Sequence, residues 1–593
     1  MKMSETKHLR NGKGKRRPFS GALLFVLSFG AVSLLPAIEP PVTGRTHGVT
    51  SSHELATESG FRILQEGGSA ADAAVAVAAV LGVVEAWFSS PLGGEVWALH
   101  FNAESGEVEA LDGVGPAGSG ATLEFWSQPE NHTRPGIHMA VVPGAWDAWM
   151  IWLARYGRLE LPEILADAIR LAEDGFPVSP VMHDWILADL EQIREWPESR
   201  RIFLPEGRVP EVGETIVFED MARTYRELID AYEEARPQGR EAAFQAASDY
   251  YYRGPIAERI AAVSREQGGL IEVEDFRDVS AEFVDPIHSE YRDGITVYQC
   301  PPNSQGITML IAMNILRGFD FSEIQMQSAE MIHLVAEALK LAHADNYHYV
   351  GDPDEVAVPV EELLSREYAR AQRERIDPER AMEWPIEPGP EVAGGLEAPG
   401  DAGRNANTAT FHVIDQWGNG AAVTTSLGAN FLVAGDTGII INNRMRMFSP
   451  EEDNPNAVEP GKKVRHTSNP YVVLRNGELY ILGGNIGADS QPQGQLQQFL
   501  YVVEYGLDPQ DAVTRFRFIT YAFPASTPPY EATNELAVEE GYASAVLEEL
   551  RRRGHRLTHD GLFGNANMAV VNPQTGELSF GADPRGVNRA MAE

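Results

Sequence analysis

The chain carries a single cysteine, Cys300, in 593 residues. One thiol excludes an intramolecular disulfide and any metal site built from several cysteines. Basic residues are also scarce, with 48 Lys and Arg against 86 Asp and Glu, a formal charge of −38. So acidic a surface repels nucleic acid and anionic membrane, and it keeps a protein dispersed at high salt. Several short catalytic signatures are absent as well. There is no G-x-S-x-G elbow, no H-E-x-x-H and no Walker loop, which excludes the commonest serine, zinc and nucleotide chemistries. Gly113, Gly115 and Gly118 match G-x-G-x-x-G, but Pro116 interrupts the helix a phosphate cradle needs, so a plain glycine loop is expected. His333, His343 and His348 invite a metal reading, yet the last two are five apart and do not share a helical face. No metal and no organic cofactor is expected.

Long apolar runs are confined to the N-terminus. Seven basic residues between Lys2 and Arg17 precede Gly21 to Ile38, an apolar run with the layout of a secretory signal. Ala31-Val32-Ser33 is a weak cleavage site, and an uncleaved anchor is the alternative. Residues 1–38 are therefore read as signal or anchor, and the rest as exported to the periplasm or the medium, with no further membrane contact. Loss of that segment removes seven basic residues and one acid, leaving a charge of −44.

What is present centres on Asn407 to Leu427. Thr408, Thr410, Phe411, His412, Val413 and Ile414 form one β-branched and aromatic run, and Ala421 to Thr425 a second. Asp415 to Gly420 between them supplies turn residues, so a hairpin is expected. Upstream, Trp384 to Asn407 is rich in Pro, Gly and acids and reads as a solvated loop. A cut between Asn407 and Thr408 would give Thr408 a free α-amine beside its hydroxyl. Such an amine titrates near ~7.7–8.0 and can act as a base close to neutrality.

Before this hairpin, Gly48–Glu85 reads as two helices, the first capped by Ser51 or Ser52 and the second by Ser69. The second is alanine-rich and apolar all round, hence buried. Further helices are expected on both sides of Tyr156-Gly157, through 182–252, at Gln305–Leu316 and at Ala329–His348. Strands are expected around Leu99–Leu111, Tyr291–Pro302 and Gly435–Asn443, and Leu479–Gln491 reads as a strand running into a glycine turn.

Taken together these stretches resemble the γ-glutamyltransferase family. The resemblance is carried by GVTSSHELATESGFRILQEGGSAADAAVA, VPGAWDAW, YYRGPIAERI, CPPNSQGITML, EALKLAHADNYHYVGDP, NTATFHVIDQWGNGAAVTTSLGANF and GDTGIIINNRM. It implies an α+β fold, the four-layer αββα sandwich of N-terminal-nucleophile hydrolases. It also implies a precursor that cleaves itself between Asn407 and Thr408 into a large piece, residues 39–407, and a small catalytic piece, residues 408–593, which stay associated. By the same resemblance Thr408 is the nucleophile and Ser426 stands where a second Thr supports it. Gly487 and Ala488 match the backbone pair of the oxyanion hole, and Thr467 and Ser468 lie near the serines that hold the substrate carboxylate.

The sequence departs from the pattern at the substrate. Leu111 to Pro116 lacks the expected Arg for an α-carboxylate. Asn442-Asn443-Arg444-Met445 is followed by Arg446, where an Asp for an α-ammonium is expected, and Gly428 replaces an Asn. Arg444 or Arg446 is the available carboxylate handle. The expected substrate is a small amide or peptide. The implied activity is hydrolysis or transfer of the acyl group of γ-glutamyl amides such as glutathione through an acyl-Thr408. An acylase for another acyl group and a non-catalytic homologue are the alternatives.

Overall fold

The computed structural model describes residues 39–389, 408–428, 430–559, 561 and 563–593. The hairpin forms as expected. Strand Ala409–Ile414 pairs antiparallel with Gly420–Ser426, Ala409 opposite Thr425. Its turn is held by one carboxylate: Asp415 Oδ1 accepts from the N–H groups of Trp417 and Asn419 at 2.9 and 3.0 Å. Asp415 Oδ2 accepts from Ala70 N at 3.0 Å, at the start of the helix Ala70–Val84. That puts an anion on a helix N-terminus, where unpaired amides and the helix dipole favour it.

The hairpin is the centre of a seven-stranded sheet. Its order is Arg589–Ala592, Gly48–Ser51, Ala409–Ile414, Gly420–Ser426, Glu95–Asn102, Glu107–Gly113, Glu282–Val284. A second sheet has the order Val42–Gly44, Leu578–Ala582, Ala566–Val571, Glu478–Asn485, Tyr471–Arg475, Ile295–Gln299, Ile287–Glu290. Three apolar layers separate four structural ones. Trp97, Leu99 and Phe101 of the first sheet meet Val472, Leu482 and Phe580 of the second. The outer face of the first sheet packs on helices through Val77, Trp149 and Leu165. That of the second packs on helices through Leu310, Leu339 and Phe499. This is the αββα sandwich.

Both sheets combine strands from before and after residue 408, with post-408 strands flanked by pre-408 ones. Chains interleaved in this way cannot part without opening both sheets, so a cut ahead of Thr408 would leave the two pieces joined by hydrogen bonds and core. Among the described residues no helix is long and apolar enough to cross a membrane.

The helix Ala70–Val84 is buried along its whole length, as its composition predicts, and Ser69 and Asp72 form a capping box at its start. The preceding helix, Glu54–Gln65, differs from expectation at its cap. His53 Nδ1 accepts from Leu55 N at 3.2 Å. The two serines are engaged elsewhere, Ser51 with Thr57 and Ser52 with Glu85. Gly435–Asn443 forms no strand. Ala434 N bonds Ile439 O, Ile441 N bonds Leu432 O and Asn442 N bonds Gly93 O, so the apolar run folds into a buried loop. Of the loop expected over 384–407, residues 390–407 lie outside the described residues. Its first part is packed, with Ile386 buried and Gly389 against Tyr368.

Glu85 follows the alanine-rich helix, at its negative end, and is buried with one donor, Ser52 Oγ at 2.6 Å. Burial raises its pKa to about 7. An acid raised in the folded state costs nothing below its unfolded value of 4.5. Stability then falls as pH rises toward 7, and the full penalty applies above. At ~1.36 kcal/mol per unit this is on the order of 3 kcal/mol. Glu85→Gln is expected to raise the melting temperature at pH 8 and to have little effect at pH 4.5. Equal shifts at both pH values would refute the buried-acid penalty.

Candidate active site

Thr408 stands at the head of the central strand, 1% exposed. Its Oγ1 lies 3.0 Å from Ser426 Oγ on the neighbouring strand. Gln491 Nε2 approaches the same oxygen at 3.4 Å from the first turn of the helix Gln491–Val503. Ser426 Oγ also accepts from Arg444 Nη2 and, at 3.4 Å, from Gly428 N. The nucleophile candidate and its supporting hydroxyl therefore meet by pairing register, and a buried cation stands one hydroxyl away.

The second sheet brings its own part. Past Ile486, strand Glu478–Asn485 leads into Gly487 at φ +111° and Ala488 at φ +50°. Ala488 occupies the left-handed region that alanine normally avoids, at a cost of roughly 1 kcal/mol. The carbonyl of Gly487 accepts from Ser490, and that of Ala488 from Gln305 Nε2 at 3.0 Å. Neither Gly487 N nor Ala488 N donates to an acceptor among the described residues.

Gln305 Nε2 also donates to Thr467 O at 3.0 Å, so the Thr467 and Ala488 segments are clamped by one amide. Thr467 Oγ1 and Ser468 Oγ are buried and find no partner among the described residues. Beside them His466 is buried. Its Nδ1 accepts from Ser468 N at 3.1 Å, and burial together with the Arg444 charge pushes its pKa far down, so it stays neutral.

Arg444 is fully buried. Burial lowers its pKa to about 10, with the field of Glu95 opposing, so it stays charged at neutral pH. Glu95 sits opposite Ser426 in the sheet register, and its Oε2 accepts from Gly115 N. Burial pushes its carboxyl well above the usual range, countered by that N–H and by Arg444. The glycine motif is thus no phosphate cradle. Gly115 already serves an internal carboxylate, and a Cβ there would strike Val142 O at 1.7 Å.

The sequence reading named Thr408, Ser426, Arg444, Thr467, Ser468, Gly487 and Ala488, and all gather here; Asn407 lies outside the described residues. It missed Gln491, Gln305 and Glu95. Glu95 had a signal, a lone acid behind Gly93-Gly94 in an apolar strand. The three helical histidines do not converge. His343 stacks on Phe523 with centroids 3.7 Å apart, and His333 pairs with His555 at 2.8 Å. Glu337 joins those two histidines within reach of one ion, but Lys340 Nζ lies 2.6 Å from its Oε1, so a cation is already in place.

A threonine at the head of a central strand, paired with a second hydroxyl between two stacked sheets, is the arrangement of an N-terminal-nucleophile hydrolase. The family model for γ-glutamyltranspeptidase matches residues 56–593, and the chain belongs to that family of enzymes. It is 34% identical to the glutathione hydrolase-like YwrD proenzyme of Bacillus subtilis over 93% of this chain and 99% of that one. Identity to the glutathione hydrolase proenzyme of Escherichia coli is 31% over 97% and 98% of the two chains. The crystal structure of cephalosporin acylase from Bacillus halodurans superposes with a TM-score of 0.82 at 31% identity, covering 95% of this chain and 99% of that one.

Proposed function

We propose that the chain is a self-cleaving hydrolase or transferase of γ-glutamyl amides such as glutathione. In the first step Thr408 Oγ attacks the Asn407 carbonyl. The peptide nitrogen leaves as the α-amine of Thr408, giving an ester at Oγ, and water hydrolyses that ester to a carboxylate on Asn407 and a free hydroxyl on Thr408. In turnover the α-amine takes the hydroxyl proton as Oγ attacks the substrate amide. Gly487 and Ala488 N–H hold the oxyanion. The amine departs with the proton, and water or an acceptor amine releases the acyl group from Thr408. Thr467 Oγ1 and Ser468 Oγ are donors for an oxygen of the acyl group. Arg444 supplies a cation behind Ser426.

The observation that carries this reading is the 3.0 Å contact of Thr408 with Ser426, with Gln491, just after the Gly487–Ala488 turn, 3.4 Å from the same Thr408 oxygen. The names of the relatives support the γ-glutamyl group. The basic run at Lys2–Arg17 followed by Gly21–Ile38 supports export of the enzyme. γ-Glutamyl-p-nitroanilide is expected to release nitroaniline at least about tenfold faster than the acetyl anilide, the discrimination that a bound polar head provides. Equal rates would refute recognition of the glutamyl group. A second reading, an acylase for an acidic acyl group without an ammonium, is favoured by arginine at both 444 and 446. A glutaryl anilide that outpaces the γ-glutamyl one selects it.

A further inference from the structure

The helix Gln491–Val503 holds five glutamines, Gln491, Gln493, Gln495, Gln497 and Gln498, all fully buried. A run of buried amides is costly unless their polar ends find partners. Most do. Gln493 Oε1 accepts from Thr520 N at 2.9 Å, and its Nε2 donates to Thr520 O at 3.2 Å. Gln497 treats Phe518 in the same way, at 3.2 and 2.8 Å. Gln495 donates to Asn469 O at 2.8 Å and accepts from Asn469 Nδ2 at 3.1 Å. These clamps fix the helix to the strand Phe518–Thr520 and to the segment that follows Ser468.

Gln498 and Gln491 differ, for the side-chain oxygen of each is buried without a partner among the described residues. Gln498 still donates to Asn485 Oδ1 at 3.1 Å. Gln491 has only the approach of its Nε2 to Thr408 Oγ1 at 3.4 Å, which is long for a hydrogen bond. Its amide stands at the nucleophile, carried on a clamped helix and hardly engaged in the uncut chain.

A buried acceptor is matched by a donor that arises inside the site, and cleavage creates one. In the uncut chain the Thr408 nitrogen is a peptide N–H with one proton. After the cut it is an amine with two protons or an ammonium with three. In threonine the nitrogen and Oγ1 stand on adjacent carbons, and in the glutamine amide Nε2 and Oε1 share one carbon. An amide that meets Oγ1 with one end therefore reaches the amine with the other.

Resting on the self-cleaving reading above, we infer that Gln491 is a catalytic residue of the mature enzyme, its Oε1 accepting from the liberated α-amine of Thr408 while its Nε2 stays at Oγ1. The bridge turns the amine lone pair toward the hydroxyl proton. As Oγ attacks and that proton passes to the amine, the same oxygen accepts from the ammonium that forms. A hydrogen bond to a charged donor is stronger than one to a neutral donor, so the contact favours the reacting state over the resting one. The ammonium then returns the proton to the leaving amine. The surrounding charges do not depend on this amide. Arg444 stands behind Ser426 with Glu95 facing it. His466 is neutral. Asp489, ahead of the helix, accepts from Ser526 Oγ and N at 2.5 and 2.8 Å, with Arg465 as its cation.

The test compares wild type with Gln491→Met and Gln491→Glu, with melting temperatures measured alongside. All three are expected to split ahead of Thr408. Cyanate carbamylates only the unprotonated amine, so its rate at the N-terminus of the small fragment, followed by mass spectrometry against pH, reads the amine pKa without substrate. Gln491→Met, which takes an acceptor from the ammonium, is expected to lower that pKa by about one unit, and Gln491→Glu, which adds an anion, to raise it by about one unit or more. With γ-glutamyl-p-nitroanilide, kcat of Gln491→Met is expected to fall about 10-fold or more with KM within about twofold. One amine pKa shared by all three proteins overturns the inference, and so does an unchanged kcat. A Gln491→Met chain that stays uncut also overturns it, since the residue then serves the scission and not the mature amine. Wild type that stays uncut takes down the functional reading as well. Wild type that splits, shows the expected order of pKa values and leaves the anilide intact counts against the γ-glutamyl activity alone.

Discussion

Thr408→Ala is expected to yield one unbroken chain of 65.1 kDa, less any leader, where wild type gives two fragments on a denaturing gel. Turnover falls by more than about 10⁴-fold, since no other hydroxyl stands at the reacting position. Both losses have one cause. The same oxygen opens the chain and later carries the acyl group, so neither function survives its removal. The fold is expected to persist. Thr408 Oγ1 contributes only its contacts with Ser426 and Gln491, and a neutral hydrogen bond is worth about 1 kcal/mol. Thr408→Ser keeps a hydroxyl and should retain cleavage, though more slowly. N-terminal sequencing of the small fragment is expected to begin at Thr408. A Thr408→Ala protein that still divides at this position would remove the residue from its role.

Arg444→Met carries the second largest expected loss. The guanidinium donates to Ser426 Oγ from a fully buried position. A charged hydrogen bond of ~1.5–3 kcal/mol corresponds to about 10- to 100-fold in kcat/KM. It also acts at a distance. A cation one hydroxyl from the liberated α-amine disfavours a second positive charge there, and so helps to keep that amine in its basic form. The acidic limb of the pH–rate profile is therefore expected to move to higher pH in Arg444→Met. Stability should respond differently. Burying a guanidinium and the acid facing it is costly, so replacing both by uncharged chains of similar length is about neutral. The double variant Arg444→Met/Glu95→Gln should melt at or above the wild-type temperature while remaining slow. A variant slowed only in proportion to unfolding, with an unmoved acidic limb, would reduce Arg444 to a packing role.

Both expectations turn on residues of different visibility in the sequence. Thr408 could be seen because its surroundings are local: a β-branched run, a turn at Asp415 and a polar loop ahead of it. Ser426 follows from the same hairpin, since the register that pairs Ala409 with Thr425 also brings the flanking hydroxyls together. Local pattern showed only a strand running into a glycine turn over Leu479–Gln491, and Gly487 and Ala488 stood out within it by the family resemblance. Gln491 was less so, because its closeness to Thr408 depends on how the two sheets stack. Local pattern failed at Gly435–Asn443, an apolar run that reads as a strand and folds as a buried loop. Its hydrogen-bond partners lie at Gly93 and Leu432 and not on a neighbouring strand.

What the amino-acid order determined unaided was the set of elements whose periodicity and capping are local, together with the hairpin that carries the nucleophile. The buried alanine helix and its Ser69–Asp72 cap belong to that set, for a helix cap and a two-strand turn need only neighbours in the chain. The charge pattern around the reacting oxygen was decided elsewhere. Arg444 faces Ser426, and Glu95 stands across from it, only after two sheets and their outer helices have closed. Coulomb interactions depend on separation in space and on the exclusion of water, and neither is written in the spacing of residues along the chain.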